Sequence, residues 1–319
     1  MLNYESVNKI LIIVVIAAGI ILVLINPLQI IDNYNFGKSL TDIESHTCKN
    51  TNVTTDYSKV IILTFDDSRK SQFSYAVPIM EQCGFKATFF TVYDFLGQDS
   101  SRMTWDDIAA LQKNGHDIES HTMDHQDLTK MSLTQLDYEI GGSKNAFAQH
   151  NIDTTVFASP YGNIWNNKTV VDVVTKYYSF ARDGYAPEMF LHCDGWQTFS
   201  NQTDCRTYSE DGKLNFANRY SIRMWDHNYY DIQYSHDDKK IFDIFVGEVN
   251  QATALNKHGP IVTFPIIAYH NVDFKTSDYN TDVSLFAQEM NYLHDNGFRV
   301  ITMSDLGYDT DTNALYFKK

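Results

Sequence analysis

The segment Val60-Ile61-Ile62-Leu63-Thr64-Phe65-Asp66-Asp67 decides the fold class of this 319-residue chain. An apolar, β-branched run that stops at two carboxylates is typical of a buried strand that reaches the edge of a sheet. Asp66 and Asp67 are therefore predicted at the carboxyl end of a strand. Neighbouring side chains on an extended segment diverge, so one carboxylate can bind a metal while the other handles a proton. The alternative is a solvated Asp-Asp turn.

Two histidines follow in the segment Ser120-His121-Thr122-Met123-Asp124-His125. Their spacing of four residues predicts that both imidazoles lie on one face of a helical turn, within reach of a common ion. One carboxylate and two neutral nitrogens form an open site that leaves room for water, whereas closed structural zinc sites use four ligands. The alternative is a pair of surface or capping histidines. The aspartate pair upstream favours the metal site.

Predicted strands and helices alternate beyond residue 58. Such alternation indicates a parallel sheet with helices outside it. In a closed barrel the carboxyl ends of the strands converge on one mouth, so Asp66, His121, Tyr161 and His270 can meet despite their separation in the sequence. The predicted strands are 60–65, 87–93, 117–120 and 155–158, and the predicted helices are 72–82, 105–114, 133–149 and 167–177.

These motifs resemble those of the polysaccharide deacetylase (NodB-homology, carbohydrate esterase) family. Thr64–Asp67 is similar to the first motif of that family, and His121–His125 is similar to the second. The Pro-Tyr-Gly turn in 157–162 resembles the third motif, 266–270 resembles the final histidine motif, and 286–302 resembles the helix and strand that follow it. The resemblance runs from about Lys59 to Leu306. It implies a distorted (β/α) barrel with fewer than eight regular units.

The same resemblance implies a metal-dependent hydrolase that removes N-acetyl groups from a cell-surface or extracellular polysaccharide of the N-acetylglucosamine type. Asp67, His121 and His125 would hold the metal, which lowers the pKa of bound water and polarises the acetamide carbonyl. Asp66 would be the general base, and His270 would protonate the departing amine. The backbone N–H of Tyr161 would hold the oxyanion. Zinc is the predicted metal, and cobalt, nickel or manganese are alternatives for such a ligand set.

The third motif departs from the family pattern at one position. The family commonly carries an arginine near the position of Ala158, where it would hold the base in an ion pair and favour its charged form. Arg223, in Ser221-Ile222-Arg223, is predicted to replace it from a later strand, and Arg182 is the other candidate. The alternative for either arginine is a surface salt bridge of little energetic weight.

Two other functions stay open from the sequence. The same site could hydrolyse an O-acetyl ester or a small cyclic amide, or the chain could be a non-catalytic glycan-binding surface protein, which the missing arginine favours. A formal net charge of −15 argues against nucleic acid as a partner. A neutral or N-acetylated glycan would suffer the least repulsion. Trp196, Trp225, Tyr229 and Tyr230 could stack on sugar rings, although core packing is the predicted role of each.

The amino-terminal segment predicts export. The apolar run from Ile10 to Ile25 predicts an uncleaved transmembrane helix that anchors the chain, with a cleaved signal peptide as the alternative. Either places the remaining chain outside the cytoplasm, at the cell surface or secreted. The predicted organisation is an anchor at 1–31, a polar tether at 32–58, a catalytic domain at 59–308 with a loop insertion at about 185–218, and a tail at 309–319.

Cysteines and sequons agree with that side of the membrane. Four cysteines are compatible with disulfides and allow three connectivities. Cys193–Cys205 is the preferred pair because it brackets a polar loop, and Cys48–Cys83 is the second choice. Three triplets match the glycosylation sequon, namely Asn52-Val53-Thr54, Asn167-Lys168-Thr169 and Asn201-Gln202-Thr203.

Overall fold

A computed structural model describes most of the chain beyond residue 46 and three short segments before it. The chain divides into two compact units, Met1–His46 and Thr47–Lys319. The described residues are 10–16, 19–25, 40–44, 47–164, 167–185, 189–191, 219–233, 236–256, 263–274, 279–309, 311 and 314–318.

The first unit contains an antiparallel strand pair. Strands β1 (Ile10–Ile16) and β2 (Gly19–Ile25) form a continuous ladder, and a short helix follows at residues 40–44. The helix predicted for 10–25 is therefore wrong. Its isoleucines and valines are β-branched, and such side chains favour strands over helices. Within the described segments, no helix combines the length and the apolar character that crossing a membrane requires.

The second unit contains the remaining strands. They are, in chain order, β3 (Val60–Asp66), β4 (Thr88–Thr91), β5 (Asp117–Ser120), β6 (Val156–Ala158), β7 (Phe180–Tyr185), β8 (Met189–Phe190), β9 (Ile222–Asp226), β10 (Thr263–Phe264), β11 (Ile266–Tyr269), β12 (Asn271–Asp273), β13 (Asn280–Asp282), β14 (Arg299–Ile301), β15 (Leu306–Asp309) and β16 (Ala314–Phe317).

Seven parallel strands close into a barrel. Their order is β3-β4-β5-β6-β7-β9-β11, and β11 pairs with β3 to complete the circle. Strand β14 adds to the amino-terminal half of β3, where Arg299 lies opposite Val60. The prediction of a distorted barrel with fewer than eight regular units is confirmed. Because all strands of the barrel run in one direction, their carboxyl ends meet at one mouth.

Helices follow most of the barrel strands. The four predicted helices are present with small shifts at their ends, and two of them contain a π-helical turn, at Gln72–Ala76 and at Asp137–Gly142. Thr104 begins one helix with a capping box, in which its hydroxyl accepts from the N–H of Asp107. The helices are Val77–Gln82, Trp105–Lys113, Leu133–Leu136, Ser143–Gln149, Lys168–Tyr177, His227–Gln233, Asp238–Ala254 and Val283–Asp295.

Strand β3 is the centre of the core. Every one of its residues is buried, as expected for a parallel strand that is covered on both faces. The ring of Phe65 stacks on Phe89 and Tyr269, with centroids 5.0 and 5.4 Å apart. These aromatic contacts join β3 to its two neighbours just below the mouth of the barrel and hold Asp66 at the rim.

The ends of the second unit differ from the predicted organisation. A disulfide joins Cys48 to Cys83, so residues from the end of the predicted tether are fastened to the barrel. Strand β16 lies in the predicted tail, pairs with β15 and buries Leu315. Cys193 and Cys205 lie outside the described residues, as does most of the predicted insertion.

Candidate active site

Two consecutive aspartates stand at the end of β3. Asp66 is its last residue, and Asp67 follows in the left-handed region with φ of 74°. Aspartate tolerates this conformation better than most residues do. The two carboxylates have different partners. Asp66 pairs with Arg182, whereas Asp67 contacts two histidines and Arg69. These different contacts agree with the prediction that one carboxylate binds a metal while the other handles a proton.

His121 and His125 lie on the loop that follows β5. Their ring centroids are 4.9 Å apart. The predicted helical turn is absent from this segment, because Thr122 and His125 adopt left-handed conformations with φ of 74° and 66°. The Thr122 hydroxyl accepts a hydrogen bond of 2.9 Å from the His125 N–H and holds the loop. The two rings are thus brought together by a turn at the barrel rim and not by helical periodicity.

The side chains of Asp67, His121 and His125 fit a divalent metal. One ligand atom of each lies within 4.8 Å of the others. Oδ1 of Asp67 is 3.7 Å from Nε2 of His121 and 3.2 Å from Nε2 of His125. This oxygen is buried and accepts no hydrogen bond from the described residues. A buried carboxylate oxygen that faces two imidazole nitrogens is a donor set suited to zinc.

The protonation of His121 suits a metal ligand. Its Nδ1 lies 2.9 Å from the carbonyl oxygen of Ala158, which can only accept, so Nδ1 carries the proton and Nε2 has the free lone pair. Burial lowers the pKa of His121 to about 4. The ring is therefore neutral near neutral pH, as a metal ligand must be.

Asp67 is held in its charged form. Burial alone would raise its pKa, but the contact with the His125 ring and the nearby rings of His270 and His121 outweigh burial and hold the pKa well below its usual value. Its second oxygen, Oδ2, accepts from Arg69 at 3.1 Å. Arg102 donates to its main-chain carbonyl at 2.6 Å.

Arg182 is the arginine that contacts Asp66. Its Nη2 lies 2.5 Å from Oδ2 of Asp66, and the two side chains are 2% and 6% exposed. Arg182 on β7 lies directly opposite Ala158 on β6. Its guanidinium thus comes from the strand next to the position where the family pattern expects an arginine. The prediction of Arg223 for this contact is corrected, since Arg223 on β9 is absent from the residues that line the cavity.

His270 follows β11 and is oriented by Asn228. The amide oxygen of Asn228 accepts from the main-chain N–H of His270 at 2.9 Å and lies 3.1 Å from its Nδ1. Nδ1 is therefore the protonated nitrogen, and Nε2 is left for the cavity. Gln72 donates to the main-chain carbonyls of Asp66 and His270, at 2.5 and 2.8 Å, and ties the two strand ends together.

Neither Gln72 nor Asn228 was identified from the sequence. A glutamine at the start of the predicted helix 72–82 is indistinguishable from a surface residue until the structure shows it to be fully buried. Asn228 carries no motif signal.

Tyr161 lies on the turn that follows β6. Its backbone is left-handed with φ of 64°, its side chain is exposed, and its ring centroid is 5.1 Å from that of His125. Asp183 holds the turn by accepting from the Ser159 hydroxyl and from the N–H of Ile164. The role of the Tyr161 N–H in binding an oxyanion stays a prediction.

One cavity of about 1070 Å³ brings the predicted residues together. The tyrosines Tyr229 and Tyr279 also line it and are 60% and 50% exposed, whereas Trp225 is buried. Exposed rings at a cavity wall can contact a sugar face, so the core role predicted for Tyr229 is wrong. Trp225 is buried as its predicted core role requires, and one side of it also lines the cavity. The predicted site residues in the cavity wall are Asp66, Asp67, His121, His125, Tyr161, Arg182 and His270.

Comparison with known proteins agrees with this arrangement. Residues 52–178 match the family model of polysaccharide deacetylases. This segment of the chain is therefore similar to polysaccharide deacetylases. The matched segment contains both motifs of the metal site, at Asp67 and at His121–His125, and excludes His270.

Individual relatives match over part of their length. The Bacillus subtilis (strain 168) protein YxkH, named as a polysaccharide deacetylase, is 30% identical over 113 residues, which are 35% of this chain and 40% of YxkH. A bifunctional xylanase/deacetylase of Pseudobutyrivibrio xylanivorans is 31% identical over 123 residues, which are 38% of this chain and 20% of that protein. The chain thus matches less than half the length of either relative.

A solved structure that is similar to this chain is the Xyl-CE4 domain of a multidomain xylanase from the hindgut metagenome of Trinervitermes trinervoides. It has a TM-score of 0.49 and 21% sequence identity, over 77% of this chain and 88% of that domain.

Proposed function

We propose that this chain is a member of the polysaccharide deacetylase family and a metal-dependent hydrolase that removes N-acetyl groups from a cell-surface polysaccharide containing N-acetylglucosamine-type sugars. One observation carries the proposal. Three metal-ligating side chains meet within 4.8 Å in the same cavity as a second carboxylate, Asp66, and a histidine, His270. Such a set provides what amide hydrolysis needs, namely an electrophile, a base and an acid.

Asp67, His121 and His125 would hold the metal, and zinc is the preferred ion for this ligand set. When bound, a divalent cation acidifies water and polarises the acetamide carbonyl. Asp66 accepts a proton from the attacking water, and Arg182 keeps the carboxylate of Asp66 in place through their ion pair. The N–H of Tyr161 stabilises the oxyanion. His270 in its imidazolium form, with Nδ1–H held by Asn228, then donates its Nε2 proton to the departing amine, so the products are acetate and a free amino sugar.

A second substrate class has its own support. One relative is named a bifunctional xylanase/deacetylase, which suggests O-acetyl esters of a xylan as an alternative substrate. The same base and metal ligands would serve either bond, because both reactions pass through a tetrahedral oxyanion. An ester leaves as an alcohol, which departs more readily than an amine. Substitution of His270 should therefore harm amide hydrolysis more than ester hydrolysis.

We further propose that the second unit works outside the cytoplasm. The disulfide between Cys48 and Cys83 supports this location, since disulfides persist in oxidising compartments and are rare in the cytosol. Protease treatment of intact cells tests it. Digestion of the chain without lysis is expected, and full protection until lysis would contradict the proposed location.

Acetate release tests the proposed activity. The zinc-loaded chain is expected to release acetate from acetylated chito-oligomers, and Asp66→Asn is expected to lower kcat by about 10²–10⁴-fold. Asp94→Asn, which removes a carboxylate outside the cavity wall, is the matched control and should retain the native rate. Faster release from acetylated xylan would favour the ester. Purification without metal, together with no release from any substrate and unchanged sugar binding by Asp66→Asn, would instead indicate a glycan-binding protein.

A further inference from the structure

A set of buried polar side chains lies behind His270, away from the cavity. Each is 0% exposed, and none of them lines the cavity. They come from separate elements: the helix that begins at His227, the strands β11 and β13, and the helix Val283–Asp295. Burial of polar groups is costly unless every donor meets an acceptor. The set consists of Asn228, His227, Thr281, Glu289 and Tyr269.

Hydrogen bonds connect Glu289, His227, Thr281 and Asn228 to His270 in one path, and Tyr269 joins this path at Glu289. Glu289 lies at its far end, where Oε1 is 2.6 Å from Nε2 of His227 and Oε2 accepts from the Tyr269 hydroxyl at 2.8 Å. Nδ1 of His227 is 3.0 Å from the hydroxyl of Thr281. That hydroxyl accepts from the amide nitrogen of Asn228 at 3.3 Å. The amide oxygen of Asn228 then meets His270.

The hydrogen bonds in this path have one consistent direction from His270 to Glu289. A carboxylate can only accept, so the proton of a neutral His227 lies on Nε2 and its Nδ1 becomes an acceptor. The hydroxyl of Thr281 has one hydrogen, which it donates to that nitrogen. Its oxygen is then free to accept from Asn228.

The same logic reaches the cavity. The amide nitrogen of Asn228 is directed to Thr281 and its oxygen to His270, and both Thr281 and the main-chain N–H of His270 favour this orientation of the amide. An amide oxygen can only accept, so the proton of a neutral His270 ring lies on Nδ1. Nε2 is then the nitrogen that gains and loses a proton on the side of the substrate.

We propose that Glu289, His227, Thr281 and Asn228 form a buried positioning chain that holds His270 in the Nδ1–H tautomer for proton transfer through Nε2. The catalytic part of this inference rests on the proposed function, since it assigns His270 the acid step. Glu289 and His227 act only through other residues, and Asn228 contacts His270 directly. The inference therefore extends the machinery of the site to a carboxylate that no substrate can reach.

The tautomer is measurable without any activity. In the zinc-loaded full chain labelled with ¹⁵N-histidine, ring spectra at about pH 8, above the usual histidine pKa of about 6.5, show which nitrogen carries the proton. A His270→Gln spectrum identifies the signals of His270. The native protein is expected to show His270 with its proton on Nδ1. A proton on Nε2 of His270 in the native protein would overturn the proposal without recourse to any variant.

Matched variants of Thr281 test the chain itself. Thr281→Val keeps the shape but removes the hydroxyl, and it is expected to shift His270 toward the Nε2–H tautomer and to lower kcat about 5–10-fold at unchanged KM. Thr281→Ser keeps the hydroxyl and should match the native spectrum and rate. Equal losses in both variants would mean that Thr281 serves packing alone and would contradict the proposal.

A double variant tests the far end. Glu289→Gln removes the charge with little change of shape and is expected to lower kcat in the native background but not in Thr281→Val, because a broken chain cannot transmit its effect. Independent, multiplicative losses would refute the chain. If the native protein releases no acetate while its His270 spectrum is as expected, the proposed function fails and the positioning chain stands.

Discussion

Replacement of Arg182 by methionine is predicted to destabilise the protein by about 3–5 kcal/mol, because it leaves a charged Asp66 buried without its partner. The two side chains are 2% and 6% exposed, and the nitrogen and oxygen that join them are 2.5 Å apart. Unit charges about 4 Å apart in an effective dielectric of about 20 attract by about 4 kcal/mol. The Coulomb energy and the measured cost of breaking such pairs are therefore of the same size.

A double-mutant cycle isolates this interaction. Asp66→Asn removes the charge that Arg182→Met leaves unpaired, so the double variant should lose about 1–3 kcal/mol less than the sum of the single variants. Urea unfolding gives each free energy, and equal m-values would show that the unfolded states are comparable. Strict additivity would refute the ion pair as the source of the effect. Lys239→Met, which breaks an exposed ion pair with Asp243, is the control and should cost less than about 1 kcal/mol.

The same variants test the role of Arg182 in the reaction. Arg182→Met should lower kcat for acetate release, because Arg182 holds the carboxylate that takes the proton of water. Arg182 acts through Asp66, so the double variant should be no slower than Asp66→Asn alone. Arg182→Lys keeps a positive charge and should recover part of the rate. A further loss in the double variant would show that Arg182 acts by another route.

Three further predictions concern the metal, pH and the disulfide. Asp67→Asn should weaken zinc binding, measured by calorimetric titration, by more than the roughly 10–100-fold that is lost when a residue hydrogen-bonded to a metal ligand is substituted. Unchanged affinity would place the metal elsewhere. Burial lowers the pKa of His116 from 6.5 to about 4, so its contribution to stability should be present above pH 6.5 and be lost as the pH falls toward 4. The stability difference between the native protein and His116→Gln, from urea unfolding at several pH values, should shrink by about 3 kcal/mol over this range, and a constant difference would contradict it. Reduction of Cys48–Cys83, which closes a loop of 35 residues, should lower the free energy of unfolding by about 3–4 kcal/mol, and an unchanged unfolding midpoint would contradict this.

Local pattern was sufficient for the parallel strands and for the three side chains that could hold a metal ion, whereas the barrel was implied by the family resemblance. The apolar run before Asp66 predicted a buried strand because a parallel strand buries both faces and leaves polar residues only at its end. The helices predicted at 72–82 and 105–114 are present. Local pattern failed at the amino terminus, where an apolar run has the same composition in a helix as in the strand pair β1 and β2.

The spacing of the two histidines also predicted the wrong backbone conformation for the segment that joins them. Their spacing of four is that of a helical turn, but His121 and His125 meet through left-handed residues in a loop. Either conformation brings the two rings close together. The ligand types were therefore predictable while the backbone that presents them was not.

The amino-acid sequence by itself determined the strand that carries Asp66 and Asp67, the alternation of strands and helices, and the chemical types of the candidate ligands, because these depend on local periodicity and on side-chain chemistry. Only the tertiary structure decided that Arg182, and not Arg223, reaches Asp66. That choice depends on the register of β7 against β6, which places Arg182 opposite Ala158. The buried path from Glu289 to His270 was likewise beyond the sequence, because its hydrogen bonds join residues up to 62 positions apart and exist only when separate elements are packed together.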